Sequence, residues 1–443
     1  MTKQNIYSSS FLTSLLKALS AMILFSVTYY YYSVSFIKEN VEDIAFDTIN
    51  KFIINTSPTN TPGAHVLLFA IDDLYMKTHH LYDERNQSNY GYLFPRDHIA
   101  DFIEKMDTFV SEIDGQNIPK ALFIDYDMSF SSLPYGKELS IEDKKLLKVL
   151  KKNRPYIVLL PKTERYNFIE QSRDPEIQKA LHDGKIILVS VVFAQSSDGD
   201  IRRYKSFSKF YDRNISRSYL NADIAMWQLL NSMKITLKDI NKTFYENDII
   251  ANRIWIKAYA SQDREDGCST QRSYWEKLSK YSANCSLYDI IEEDFSGAVM
   301  ILGGTHSRND DTFSVLDVLE ADRFTGADLH ANTVMTMMHL NGSMRRLSFW
   351  KSALIVFVSF FVLSFILSVL FGLMDMNNKE VEFIVLLIIM TVVLFSLSAY
   401  LLQVHQRWFN WFVPLVLFEV VEIFDYFREY TPGLFSKILR KEK

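Results

Sequence analysis

Four apolar stretches bracket one long polar block. They cover residues 11–37, 348–374, 381–403 and 409–427, and about 310 residues with the make-up of a folded domain (38–347) separate the first from the second. About 20 apolar residues span a bilayer as a helix, so the pattern predicts four transmembrane α-helices with the large block on one side. The other side receives residues 1–10, a short loop and a basic tail, 428–443. The last stretch is the weakest, because Glu419, Glu422 and Asp425 interrupt it; two or three spans are the competing reading. The first stretch is longer than the 7–15 residue core of a signal peptide, and Tyr29, Tyr30, Tyr31 and Tyr32 do not resemble a small-residue cleavage site. A retained anchor is expected, with the tyrosines in an interfacial aromatic belt.

Inside the block, short apolar runs alternate with helical patterns. HVLLFAID (65–72), ALFIDYDM (121–128), YIVLLPK (156–162), IILVSVVF (186–193), RIWIKAYA (253–260) and AVMILGGT (298–305) read as strands. PRDHIADFIEKMDTFVSEI (95–113) opens with a first-turn proline and repeats apolar residues at Ile99, Phe102, Ile103, Met106 and Val110, a helical period. Residues 141–152, after Ser140 as a cap, and residues 220–233 and 327–340 read as further helices. Several strands are apolar on both faces. The fold class is therefore α/β, a mainly parallel sheet flanked by helices. Residues 261–286 are expected to form a polar surface excursion.

Charge orients the chain. Cytoplasmic flanks of membrane spans are rich in Lys and Arg. Lys3 and Lys17 stand without acids at the N-terminus, and Arg428, Lys437, Arg440, Lys441 and Lys443 outnumber the acids of the C-terminal tail. Both ends read as cytoplasmic and the block as extracytoplasmic, periplasmic at a bacterial inner (plasma) membrane. Arg345 and Arg346 count against this, since they precede the second span on the wrong side. The net charge of −5 gives no reason to expect nucleic acid. Cys268 and Cys285 are the only cysteines. In an oxidising compartment they read first as a disulfide, with two unpaired thiols as the alternative. Without a histidine pair at matching spacing they do not read as a zinc site.

Ligands of open α/β sheets sit beyond the carboxyl ends of the strands. Here those ends carry Asp72 and Asp73, then Asp125, Tyr126 and Asp127, then Thr305, His306 and Asp310. Converging carboxylates need an offset, either a hard cation held by oxygens or an arginine such as Arg96. Capping of helices and loop amides is the simpler use of such residues. Asp198 and Gly199 form a turn, and Arg202 and Arg203 beyond it could neutralise the acids. Strand alternation would send the two arginines to opposite faces, so only one is expected to turn inward. His330 and Asn332 begin a helix, where amides attract acids or anions. His306 and His330 have no metal-ligand spacing, the metal question stays open, and the chain carries no P-loop, G-x-S-x-G, G-x-G-x-x-G or H-E-x-x-H run. No catalytic residue, enzyme activity or cofactor is expected.

These motifs occur in an order that resembles the type-2 CHASE domain, a cyclase/histidine-kinase-associated sensory extracellular domain. The likeness is carried by AIDD (70–73), FPRDHIADFIEKM (94–106), FIDYDMSF (123–130), SDGDIRRY (197–204), MILGGTHSRNDDTF (300–313) and TGADLHANTVMTMM (325–338), then three closely spaced spans. It extends over nearly the whole chain. The family's aromatic-Pro-aromatic-Pro-Arg run is reduced here to Leu93, Phe94, Pro95 and Arg96. The resemblance implies a sensory domain and signal transduction. Relatives continue into a cyclase or kinase domain, whereas this sequence stops about 17 residues after its last apolar stretch, so a separate protein partner is expected: a kinase, a cyclase or an envelope-complex subunit. A homo-oligomer is also open. The alternative is a structural or assembly component of a secretion or motility complex that senses nothing.

Overall fold

The computed structural model describes residues 3–31, 35–53, 63, 65–82, 94–129, 139–163, 167–195, 201–212, 215–237, 254–255, 257, 259–262, 270–273, 275, 277–307, 312–313, 324–373 and 379–416. Asp198, Gly199, Cys268 and Asp310 fall outside them. The chain divides into two compact units, residues 54–344 and residues 1–53 with 345–443.

The first unit is an α/β fold around one sheet. Strands β1 (Val66–Ile71), β2 (Ala121–Asp125), β3 (Ile157–Pro161) and β4 (Ile186–Val189) come early in the chain. Two small antiparallel ribbons follow, β5 (Phe193–Gln195) with β6 (Ile201–Tyr204) and β7 (Phe207–Asp212) with β8 (Ile215–Leu220). Next are β9 (Tyr259–Gln262), β10 (Thr270–Ser273), β11 (Leu278–Ser282) and β12 (Val299–Gly304). The sheet order is β4-β3-β2-β12-β1-β11-β10-β9. Its first six members are parallel, and β10 and β9 are antiparallel additions at one edge. Of the run 253–260, residues 259 and 260 belong to β9, and the stretch 261–286, expected as a surface excursion, supplies β10 and β11 of the sheet. Trp255 and Lys257 form no strand but hydrogen bond to the side chains of Thr336 and Asn332.

The central strands are buried along their whole length, so both faces are covered. On one face Leu67, Phe69, Leu122, Ile124, Val158, Met300 and Leu302 join α4 (Arg96–Glu112) and α5 (Ile141–Leu150) in a single core, for which α3 (Asp73–Thr78) supplies Tyr75 and Met76 and α6 (Pro175–His182) Ile177. Ser140 caps α5 through a reciprocal box with Asp143. On the other face lie α7 (Ala222–Leu230) and, after the short α8 (Glu292–Phe295), α9 (Gly326–Leu340), in both of which every residue is buried. Helix α9 begins in a capping box, Thr325 with Asp328, and ends at Asn341 in the left-handed conformation.

Helix α9 comes close to the sheet over Gly303. A Cβ built at this position would lie 2.4 Å from the Ala327 Cβ and 3.3 Å from the Asp125 Cβ. No side chain fits there without moving the helix. Both Arg202 and Arg203 are buried, which corrects the expectation that only one would turn inward. All of β6 is enclosed, so strand alternation sends each arginine to a covered face.

The second unit holds α1 (Lys3–Tyr31), α2 (Ser35–Ile53), α10 (Phe349–Leu373) and α11 (Lys379–His405). Segments Ser10–Thr28, Phe349–Leu373 and Ile384–His405 are long and apolar enough to cross a membrane. Most of the stretch expected as a fourth span, 417–427, lies outside the described residues. Helices α1 and α10 pack antiparallel: Ser14 Oγ donates to Ser364 Oγ at 3.3 Å, Ser368 Oγ donates to Ser10 Oγ at 3.1 Å, and the Phe11 and Phe361 rings meet edge to face. Small residues at four-residue spacing permit this closeness.

Gly303→Val is expected to destabilise the α/β unit by about 1–3 kcal/mol through overpacking. Gly115→Ala, where no atom lies within 4 Å of the added carbon, should cost far less. Denaturant unfolding of the two variants, followed by tryptophan fluorescence, makes the comparison.

Candidate functional site

The carboxyl ends of β1, β2 and β12 lie side by side, with Ala70, Gly303 and Asp125 in register. The acids expected to gather there are mostly occupied separately. Asp72 caps α3, accepting from the Tyr75 amide at 2.8 Å. Asp73 accepts from the Tyr82 hydroxyl at 2.6 Å and from the amide and hydroxyl of Ser307, pinning the loop after β12 to the end of β1. Burial pushes the Asp73 carboxyl up, but these hydrogen bonds outweigh it and hold the group below its ordinary range. Asp127 accepts from the Ser129 amide and the Thr163 hydroxyl. The Thr305 amide donates to the Ile71 carbonyl, extending the ladder.

Arg96 turns away from the strand ends. Its guanidinium donates to Asp143 Oδ1 at 2.7 Å, both side chains are buried, and its face lies 4.2 Å from the centre of the Phe168 ring. Asn332 is structural too: its Oδ1 accepts from the Lys257 amide and from Trp275 Nε1, and its Nδ2 donates to the Asp328 carbonyl.

Two of the expected residues do meet, and a third joins them. His330, one turn into α9, directs Nδ1 to Asp223 Oδ1 at 2.6 Å and places Nε2 3.8 Å from Asp125 Oδ1. Its ring packs against Phe123, 5.1 Å between centroids at a steep angle, and against Phe193 at 4.6 Å. An imidazole is thus held between two aromatic rings and two carboxylates. Asp223 is wholly buried and its second oxygen, Oδ2, has no hydrogen-bond partner. Burial raises the Asp223 pKa and the contact with His330 opposes the rise. Burial, with the Asp223 charge adding to it, also raises the Tyr204 phenol well above its ordinary value. Asp125 alone of the three keeps some exposure, 11% of its side chain. The arrangement can hold one proton between His330 and Asp223 and present Asp125 to the outside.

Asp125 and His330 are among the residues the sequence marks as candidates; Asp223 is not. A signal existed: helix α7 is apolar all round, and a lone acid in such a helix has to be paired. Lys280, which pairs with Asp328 of the α9 cap at 3.0 Å, carries no such signal in the sequence. Among the described residues no group of three or more His, Cys, Asp or Glu is arranged to hold a metal ion. Cys285 is disulfide-bonded.

No family model matches the chain, and no curated protein or solved structure is significantly similar to it.

Deeper along α9, His339 packs edge to face on Trp255, and Lys257 lies over the Trp255 and Trp275 rings. Burial, and after it the Lys257 charge, lowers the His339 pKa to about 4.

Asp223→Ala leaves His330 without its buried partner and is expected to cost about 3 kcal/mol or more. Asp125→Ala, which removes only a 3.8 Å contact to the imidazole from a side chain that keeps some exposure, should cost less than Asp223→Ala. Equal losses in denaturant unfolding would mean that Asp125 is as structural as Asp223.

The depressed His339 pKa also sets a pH dependence. The unfolded chain binds this proton near pH 6.5 and the folded chain only near 4, so the stabilisation is whole above 6.5. It is lost as pH falls from 6.5 to 4, by about 3 kcal/mol. His339→Gln should flatten the pH dependence of unfolding in that window.

Proposed function

We propose that this protein is a membrane-anchored extracytoplasmic sensor whose α/β unit passes its state through the helices at its two ends to a separate partner protein. The observation that carries the reading is the packing of α1 on α10. These helices precede and follow the α/β unit in the chain, and they lie against one another through Ser10, Ser14, Ser364 and Ser368. In this reading a rearrangement of the unit is relayed along the chain as a shift of α1 along α10. A stimulus can drive it only through unequal affinity for the two arrangements.

The Asp125–His330–Asp223 group is the input site in this reading. It lies at the strand ends where ligands of α/β sheets sit, and its one partly exposed member faces outward. The disulfide at Cys285 supports an oxidising, extracytoplasmic compartment. The order of motifs resembling a type-2 CHASE domain supports a sensory role, with the bacterial inner membrane as its place. Arg345 and Arg346 weigh on the other side of the topology question.

A reporter enzyme that is active only after export, inserted at the exposed Lys205, is expected to be active; activity only of a cytosolic reporter would overturn the extracytoplasmic placement. For transmission, Ser14→Cys with Ser364→Cys should cross-link in native membranes. His330→Gln should change the cross-linking rate, and an unchanged rate would remove this helix pair from the relay.

A further inference from the structure

The segments that flank α10 and α11 form a small structure that the sensor reading does not use. Helix α11 stops at His405, and Gln406 takes the left-handed conformation with φ +53°. The chain then runs extended through Arg407 and Trp408 and pairs in parallel with Arg345 and Arg346, immediately before α10. The Leu347 amide donates to the Trp408 carbonyl at 2.9 Å to close the pairing.

Registered residues of a parallel pair point to the same face. The Trp408 face is turned inward: the indole is buried, its Nε1 donates to Glu42 Oε1 of α2 at 2.6 Å, and its ring meets Phe46. The opposite face carries Arg345 and Arg407, which are register partners. Arg345 is exposed and Arg407 half-buried. Neither has a carboxylate partner among the described residues. Like charges set directly opposite on paired strands repel and destabilise the pairing. An anion between them would turn that cost into an attraction.

The surroundings indicate which anion. Arg345 lies four residues before the first residue of α10, and Arg407 two residues after the last residue of α11. Both helices are long and apolar enough to cross a membrane, so this pair falls at the depth of lipid headgroups. Trp350, 79% exposed in the first turn of α10, has the amphipathic ring that anchors at that level, and the exposed Lys351 follows it. A forked guanidinium suits a phosphate diester better than any other group at this depth.

We propose that Arg345 and Arg407 bind the phosphate of an anionic phospholipid in the leaflet where α10 begins. The site explains why arginines stand at the end of the span that the charge rule would leave free of them: the headgroup neutralises them. The lipid contact itself depends neither on which compartment the α/β unit occupies nor on the sensor reading; only that explanation takes the unit as extracytoplasmic.

The test uses the full-length protein extracted from vesicles of mixed phosphatidylcholine and phosphatidylglycerol, with retained lipids counted by native mass spectrometry. Wild type should retain phosphatidylglycerol over phosphatidylcholine. Retention should fall about fivefold for each arginine removed in Arg345→Gln and Arg407→Gln. Lys145→Gln, in the α/β unit, should leave retention unchanged. Excess inorganic phosphate should not displace the lipid; displacement would reassign the pair to a soluble anion and overturn the proposal. Equal retention of both lipids by wild type would also overturn it, even if the arginine variants fail to fold. So would undiminished retention by the folded double variant.

Discussion

The closeness of α9 to β12 over Gly303 is the constraint on which the α/β unit's organisation depends. With no side chain at that position, Ala327 settles onto the sheet and the first turn of α9 lies across the ends of β2 and β12. His330 is carried with it into the space between Phe123 and Phe193. From there it can reach Asp223 on α7 and Asp125 on β2, residues separated by about a hundred positions of chain. The same approach brings Asp328 of the α9 cap to Lys280 on β11, on the other side of β1. One missing methyl group thus sets the position of a helix, and the helix sets the candidate site.

Polar groups are used within this fold mainly to fix elements to one another. A buried charge is costly unless it is paired and hydrogen-bonded. Arg96 ties α4 to α5 through Asp143, and Arg154 ties the end of α5 to α4 through Asp107 with two parallel hydrogen bonds. Asp73 ties two strand ends together. Against that background the Asp125–His330–Asp223 group differs. Its inner pair is tight and enclosed, while its outer carboxylate is too far from the imidazole for a hydrogen bond and is partly open to solvent.

The membrane-capable unit follows different physics. Burial of apolar surface does not drive helices together in lipid, so small residues and hydrogen bonds between helices take over. Ser10, Ser14, Ser364 and Ser368 supply both along α1 and α10. At the end of the helices where Arg345 and Arg407 pair, the chain turns to extended backbone, and its indole and guanidinium groups face opposite ways, Trp408 inward and the arginines outward.

What the sequence determined by itself was the class of each element. Long apolar runs marked the helices able to cross a membrane, and short apolar runs between helical patterns marked a parallel sheet, because both signals depend only on local spacing. Strand ends rich in Asp, and the His330 turn of α9, were visible for the same reason. Tertiary structure alone decided which of these residues meet. The strand order puts β12 between β1 and β2, although it follows them by some 175 residues or more. That insertion places Gly303 beside Asp125 and lets a helix from the end of the unit reach Asp223 near its middle. Arg96, expected at the strand ends, went to Asp143 instead, because a buried guanidinium takes the nearest enclosed carboxylate that the packing of α4 on α5 provides. Such pairings are set by which surfaces are buried together, and that information lies between segments and not within any of them.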